Sequence, residues 1–235
     1  ATTLTAGDLA IIGINADNPD DFTFVLLTDI EAGTEIFFTD SGVLDDGSFR
    51  GNEGAVKYTA PSALVAGTVI SLTTDNADFE TANDSNVGNN GFALSASGDQ
   101  VIAFQGSSAS PTFIYAAQTN STQFQSTASA STNSALPTGL SVGTTAVAVG
   151  TGPGAGSEFD NSTYNESITS GTKAELLAAI SDATNWNGNN TRIDTLADGP
   201  FTVTDGNGGG TPVPDISINE LRISSPNPSD NDSNF

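Results

Sequence analysis

Two stretches decide the fold: Leu9-Ala10-Ile11-Ile12-Gly13-Ile14 and, after a turn rich in Asn, Asp and Pro, Asp21-Phe22-Thr23-Phe24-Val25-Leu26. The first is a continuous apolar run, as expected of a central strand covered on both faces. In the second, Phe22, Phe24 and Leu26 alternate with other residues and so share one face, the pattern of a strand with one side in a core.

Outward from this pair, short runs of β-branched and aromatic residues recur between clusters of Gly, Asn, Asp, Ser and Pro. They predict strands at Leu9 to Ile14, Phe22 to Asp29, Glu35 to Thr39, Ala55 to Thr59, Val69 to Thr73 and Gly91 to Leu94. Further strands are predicted at Gln100 to Gln105, Thr112 to Ala117, Thr145 to Val149 and Phe201 to Val203. That number suits an all-β fold, a two-sheet antiparallel β-sandwich of the jelly-roll or Greek-key type. Ala32-Gly33-Thr34 and Ala66-Gly67-Thr68 each precede a β-rich segment, as if at equivalent corners. One short helix is predicted near 172 to 185. A capping box at Thr172-Lys173-Ala174-Glu175 precedes Leu176, Leu177 and Ile180 on one helical face, with Trp186 packing nearby. Its expected role is to cover one open end of the sandwich.

The chain has 235 residues, with 5 Lys+Arg against 28 Asp+Glu and a formal net charge of -23. Such a charge repels phosphate backbones and anionic lipid headgroups, so neither nucleic-acid binding nor membrane insertion is expected. It favours divalent cations, since an ion between close carboxylates relieves their repulsion. The sequence contains no Cys, His or Met. Thiolate catalysis, Ser-His relays, His-ligated haem and the usual zinc sites are excluded within it. No run of about 18 apolar residues is present. An opening at Ala1 without a charged-then-apolar leader is what a mature exported protein would show, and equally what a trimmed chain would show.

Residues 100 to 157 carry no charged side chain, and 107 to 134 are dominated by Ser, Thr, Ala, Asn and Gln. Long loops with weakly registered edge strands, or an exposed adhesive face, both fit that bias. Thr204 to Pro214 reads as a flexible Gly stretch followed by a stiffer Pro-containing piece. The organisation is therefore a β-sandwich domain over 1 to 204, a Gly/Pro linker over 205 to 214, and an isolated strand with a polar tail over 215 to 235. That strand, with Ile216, Ile218, Leu221 and Ile223, has no partner after it in the sequence.

The segments Leu4 to Gly13, Asp21 to Asp29, Gly33 to Asp40, Ser97 to Gln105 and Ser170 to Ile180 resemble β-rich modules of secreted bacterial, notably cyanobacterial, proteins. The resemblance covers most of residues 4 to 203, and its motifs are structural. Separately, Ile216-Ser217-Ile218-Asn219-Glu220-Leu221-Arg222-Ile223, with Asp230-Asn231-Asp232 beyond it, resembles the first strand and loop of a bacterial lamin-tail-like domain. Such domains commonly accompany extracellular nuclease or phosphatase domains, which implies an accessory role as the alternative to a structural one.

The acidic loops are the candidate chemistry: Asp17, Asp20 and Asp21 with Asn15; Asp40, Asp45 and Asp46; and Asp75, Asp78, Glu80 and Asp84. Calcium takes six to eight oxygens, which Asp- and Asn-rich loops with Gly supply, although none of these matches an EF-hand or a repeat motif. Solvated turn aspartates are the competing reading of each loop. A carboxylate pair could drive glycoside hydrolysis, but no spacing singles one out. Tyr58, Tyr115, Tyr164 and Trp186 read as core aromatics or as a carbohydrate platform. Six Asn-x-Ser/Thr sequons, beginning at Asn83, Asn120, Asn161, Asn165, Asn189 and Asn231, are compatible with export. The expectation is a non-catalytic extracellular module of a surface or matrix protein, with calcium as its candidate ligand. Its partners would be other matrix components or copies of itself, joined into an oligomer or filament by strand addition through Ile216, Ile218, Leu221 and Ile223.

Overall fold

Residues 1 to 73 and 76 to 205 are described by the computed structural model. The two decisive stretches form β1 (Leu9–Asn15) and β2 (Asp21–Leu26), paired antiparallel with a bulge between Ile11 and Gly13. They occupy the middle of a five-stranded sheet. Beyond β2 lies β5 (Val69–Leu72); beyond β1 lie β10 (Asn161–Tyr164) and then β12 (Trp186–Asn189). The second sheet has six strands in the order β6 (Phe79–Thr81), β4 (Ala55–Thr59), β3 (Glu35–Thr39), β7 (Gln100–Ser107), β8 (Ser110–Gln118), β9 (Ala146–Ala148). The chain is thus an all-β sandwich of two sheets. Most neighbours are antiparallel, but β9 joins β8 in parallel, and β11 (Ser170–Gly171) with β13 (Thr202–Val203) forms a separate parallel pair.

An aromatic layer holds the sheets together. Phe22 and Phe24 of β2 meet Phe38 of β3 at ring-centroid distances of 4.8 and 4.7 Å, and Tyr58 and Phe79 extend the contact. The alternation in β2 understates its burial, because Thr23 and Val25 on the opposite face are buried too. Residues 193 to 197 roof that face. Asn15 bonds both main-chain groups of Ile193, and Thr23 Oγ1 donates to the Ala197 carbonyl at 3.1 Å. Gly13 is required beneath this roof, since a Cβ there would lie 2.8 Å from Leu196 Cβ.

The outer face of the six-stranded sheet has its own smaller core, in which Ile102, Phe104 and Phe113 meet Val43, Phe49 and Leu140. The uncharged stretch is therefore ordered cover for this sheet after β8. Gln118, Thr119, Asn120, Ser121, Asn133 and Ser134 are all buried there. Their neutral side chains bond loop main chain, as when Ser134 Oγ accepts from Val43 N–H and Asn133 Oδ1 accepts from Ser129 N–H.

The two corners are equivalent: Thr34 Oγ1 donates to the Glu31 carbonyl and Thr68 Oγ1 to the Val65 carbonyl, each at 2.7 Å. The segments entering them are bridged through Ile30 and Leu64. The helix α1 (Lys173–Ile180) starts with the expected capping box between Thr172 and Glu175. It ends earlier than the pattern suggested, a 3-10 turn at Ala183–Asn185 following it. Leu176, Leu177 and Ile180 join the main core, and Trp186 Nε1–H closes onto the Ile180 carbonyl at 2.7 Å. Tyr58, Tyr115, Tyr164 and Trp186 are all buried, which settles them as core.

Two departures from the sequence pattern have a clear cause. Gly91 to Leu94 is not a strand, because the Ala93 and Leu94 amides donate to the Asp40 and Asp20 carboxylates and not to a neighbouring strand. Conversely β10 and β12, with the polar sequences Asn-Ser-Thr-Tyr and Trp-Asn-Gly-Asn, are strands because β1 offers an edge to β10 and β10 in turn offers one to β12. The linker beyond Asp205 and the segment with Ile216, Ile218, Leu221 and Ile223 lie outside the described residues.

Truncating Phe38, the ring common to both β2 contacts, should cost about 3–5 kcal/mol. Urea unfolding of Phe38→Ala measures this; a loss below about 1 kcal/mol would mean the layer does not hold the sheets together.

Candidate functional site

Strands β4, β3 and β7 are neighbours in that order and run antiparallel, so the end of β3 adjoins the starts of β4 and β7 at one rim of the sheet. An acid stands at or near each of these termini. Asp40 follows Thr39, the last residue of β3; Glu53 precedes β4 by one glycine; Asp99 immediately precedes β7. One carboxylate oxygen from each lies within 4.8 Å of the others. All three side chains are inside the protein, with exposures of 1 % for Asp40, 7 % for Glu53 and 1 % for Asp99.

The main chain holds this triad in place. Asp40 accepts from Gly54 N–H at 3.1 Å through Oδ1 and from Ala93 N–H at 2.8 Å through Oδ2. Asp99 accepts from Ser95 N–H through Oδ2 and from Gln100 N–H through Oδ1, both at 2.8 Å. Glu53 is fixed through its backbone, its N–H donating to the Val87 carbonyl and its carbonyl accepting from Asn90 N–H. Gly88 presses so close that a Cβ there would lie 2.2 Å from Glu53 N. Gln100 spans the rim, its Nε2 donating to the carbonyls of Asp40 and Ser131. Two oxygens are left without a hydrogen-bond partner, Glu53 Oε2 and Gln100 Oε1.

Like charges this close and this deep cannot all persist unaided. Burial pushes Asp40 up to about 6, against the Ala93 and Gly54 amides that favour its charged form. Burial pushes Glu53 up to about 8, with the Asp40 charge adding to the rise and Arg50 opposing it. Asp99 is driven well above the ordinary carboxylate range, first by burial and then by Asp40 and Glu53. The arrangement can do one of two things: keep protons, or hold a cation among hard oxygen donors.

Of the ten acids singled out from the loops, only Asp40 belongs to the triad. Asp20 lies beside it, its Oδ2 accepting from Leu94 N–H at 2.7 Å, and its carboxyl is raised chiefly by burial. Asp21 pairs with Arg192, and Asp17 Oδ2 accepts from Asn161 Nδ2 at 2.9 Å. Asp45 and Asp46 are exposed, Asp46 closing a turn onto Ser48. Glu80 pairs with Lys57 at 2.7 Å, while the Asp78 carbonyl accepts from Thr59 N–H. Burial of Asp84 is outweighed by bonds from Ser108, Asn86 and Val87, which hold its carboxyl below the usual range. Asp75 lies outside the described residues. Glu53 and Asp99 did not stand out in the sequence, since each is a lone acid outside the acidic loops. The available signal was an acid directly flanking a core strand, at Thr39-Asp40 and at Asp99-Gln100.

No family model, curated protein or solved structure matches the chain.

The raised carboxyls fix the sign of a pH dependence. Between about 4.5, the ordinary glutamate value, and about 8, the folded chain keeps a proton on Glu53 that the unfolded chain has released. Stability in chelator should therefore fall as pH rises through that window, by up to about 1.4 kcal/mol per pH unit for each retained proton. Glu53→Gln, which cannot ionise, should flatten the slope. Denaturant unfolding at stepped pH checks this, and stability that is level or rising from pH 5 to 8 would contradict it.

Proposed function

We propose that this chain is a non-catalytic structural and interaction module, exported from a bacterial cell, whose sandwich joins copies of itself by strand addition. The observation that carries this reading is the open edge at β5. That strand is bonded to β2 and to no other strand among the described residues. A groove lined by Tyr58, Pro61, Leu64, Val69, Ile70 and Thr73 runs beside it, and Val65 at the adjoining corner is 67 % exposed. An edge of this kind presents N–H and C=O groups to an incoming strand, with pockets for alternate side chains.

The occupant proposed is the segment Asp215 to Ser224 of a second copy, whose Ile216, Ile218, Leu221 and Ile223 supply the apolar positions. The 11 residues from Thr204 to Pro214 can span at most about 3.5 Å each, enough to reach a neighbouring molecule. Addition from one copy to the next is head-to-tail, and without ring closure it propagates as a filament.

The non-catalytic part of the reading is supported by the burial of the carboxylate triad, where a sugar or phosphoester cannot reach it. The net charge of -23 disfavours nucleic acid and anionic membrane as partners. No described helix is long and apolar enough to cross a membrane. The extracellular placement is supported by the resemblance of residues 4 to 203 to secreted bacterial modules.

The test compares the full chain with a chain ending at Asp205 by light scattering and electron microscopy. The full chain should assemble and the shorter one should stay monomeric, while a synthetic peptide of residues 215 to 224 should bind the shorter chain. Equal assembly of the two chains, or a peptide that does not bind, would overturn the reading.

A further inference from the structure

We propose that Asp40, Glu53 and Asp99 form a binding site for one calcium ion at the rim shared by β3, β4 and β7. The geometry meets the requirements of a hard divalent cation. Three carboxylates converge from three separate loops, and their nearest oxygens fall within 4.8 Å of one another. Oxygens on opposite sides of a calcium ion are about 5 Å apart, twice the usual Ca–O distance of about 2.3–2.6 Å.

The hydrogen-bond accounting points the same way. Asp40 and Asp99 each bind main-chain N–H groups through both oxygens, which orients them while leaving lone pairs free. Glu53 differs: it is 93 % buried, turned toward the other two, and its Oε2 has no partner. Gln100 is fully buried, clasped through Nε2 to the Asp40 carbonyl, and its Oε1 is also unspent. Buried oxygens without a donor cost about 1–3 kcal/mol each, and they are rare unless a water or ion completes them. The unpartnered Glu53 oxygen, beside two further carboxylates and at a rim that Gln100 also spans, belongs to an acceptor set that a cation would complete.

Among the described residues the one positive group that acts on the triad is Arg50, which lowers the Glu53 carboxyl without outweighing burial. None of the three acids forms an ion pair among those residues: the N-terminus, Lys57, Lys173 and Arg192 pair instead with Glu31, Glu35, Glu80, Asp8 and Asp21, and Arg50 makes no ion pair. With no His or Cys in the chain, the donors are oxygen alone, which selects calcium-like ions over zinc or copper. Three carboxylates with mono- or bidentate contacts, completed by water, can reach the six to eight ligands that calcium takes. An ion here would tie together the ends of three strands and the 91 to 94 segment.

The experiment uses the full 235-residue chain, stripped with chelator and dialysed. Calorimetric titration with calcium chloride should show one equivalent bound. The melting temperature should rise by a constant step for each tenfold increase in free calcium above Kd, and magnesium at equal ionic strength should raise it less. Glu53→Gln and Asp99→Asn keep the shape and remove one charge each. Both should fold, by circular dichroism, and lose calcium affinity by at least about tenfold, a loss of about 1.4 kcal/mol. Asp46→Asn, in an exposed turn, should bind as the natural chain does. The proposal is overturned if the natural chain melts identically in calcium, magnesium and chelator, if either triad variant keeps full affinity, or if Asp46→Asn abolishes binding. Should one triad variant fail to fold, the other and the titration of the natural chain still decide.

Discussion

The contact of Phe22 and Phe24 with Phe38 is the constraint on which the remaining arrangement depends. It fixes β3 against the five-stranded sheet, and β3 in turn fixes β4 and β7 through their ladders. Once those ladders are in register, the three strand termini must meet at one rim, together with whatever residues flank them. Each large apolar side chain in the layer contributes about 1.5–3 kcal/mol on burial. That is enough, summed over five rings, to impose an unfavourable electrostatic arrangement at the rim which the acids alone would not adopt. Packing comes first here, and the charge problem is its consequence.

Acids that close surface turns are treated quite differently. Asp46, Asp84 and Asp182 each close a turn by accepting local N–H and hydroxyl donors, and all three are held below the usual carboxylate range. In water a unit charge pair 4 Å apart interacts by about 1 kcal/mol, so a surplus of exposed acids is tolerable. At the rim the same charges act through protein, and their carboxyls shift the opposite way. One residue type thus stabilises turns at the surface and creates a demand for protons or a cation inside.

Much of the fold was legible because its signals are local. The apolar run of β1, the alternation of β2, the paired Ala-Gly-Thr corners and the Thr172 to Glu175 capping box each lie within a few residues. β10 and β12 were not legible, since their strand character comes from the edge they join and not from their own polar sequences. The triad was harder still. Asp40 was noticed as part of an acidic loop, yet its partners come from two other loops, and nothing in the local spacing ties Glu53 or Asp99 to it. Composition did mark residues 100 to 157, and the long loop expected there does run between β8 and the edge strand β9; what was not legible is its packing, since neutral side chains that bond main chain can be buried where charged ones cannot.

That uncharged stretch and the buried acids belong to one arrangement. The loop around 129 to 135 lies directly over the rim. Ser131 accepts from Gln100, and Ser134 Oγ accepts from Val43 N–H. Gly42 sits so tightly beneath Asn133 that a Cβ would come 2.2 Å from its carbonyl oxygen. A lysine or arginine in this cover would have neutralised Asp40, Glu53 or Asp99 directly; a further acid would have deepened their repulsion. Ser, Thr, Asn and Gln do neither. They satisfy the loop's main chain, exclude bulk water and its counter-ions, and keep the local dielectric low. With fixed counter-charge kept out of the lid and Arg50 only partly offsetting the burial of Glu53, the rest of the triad's charge balance falls to exchangeable partners, protons or a small cation.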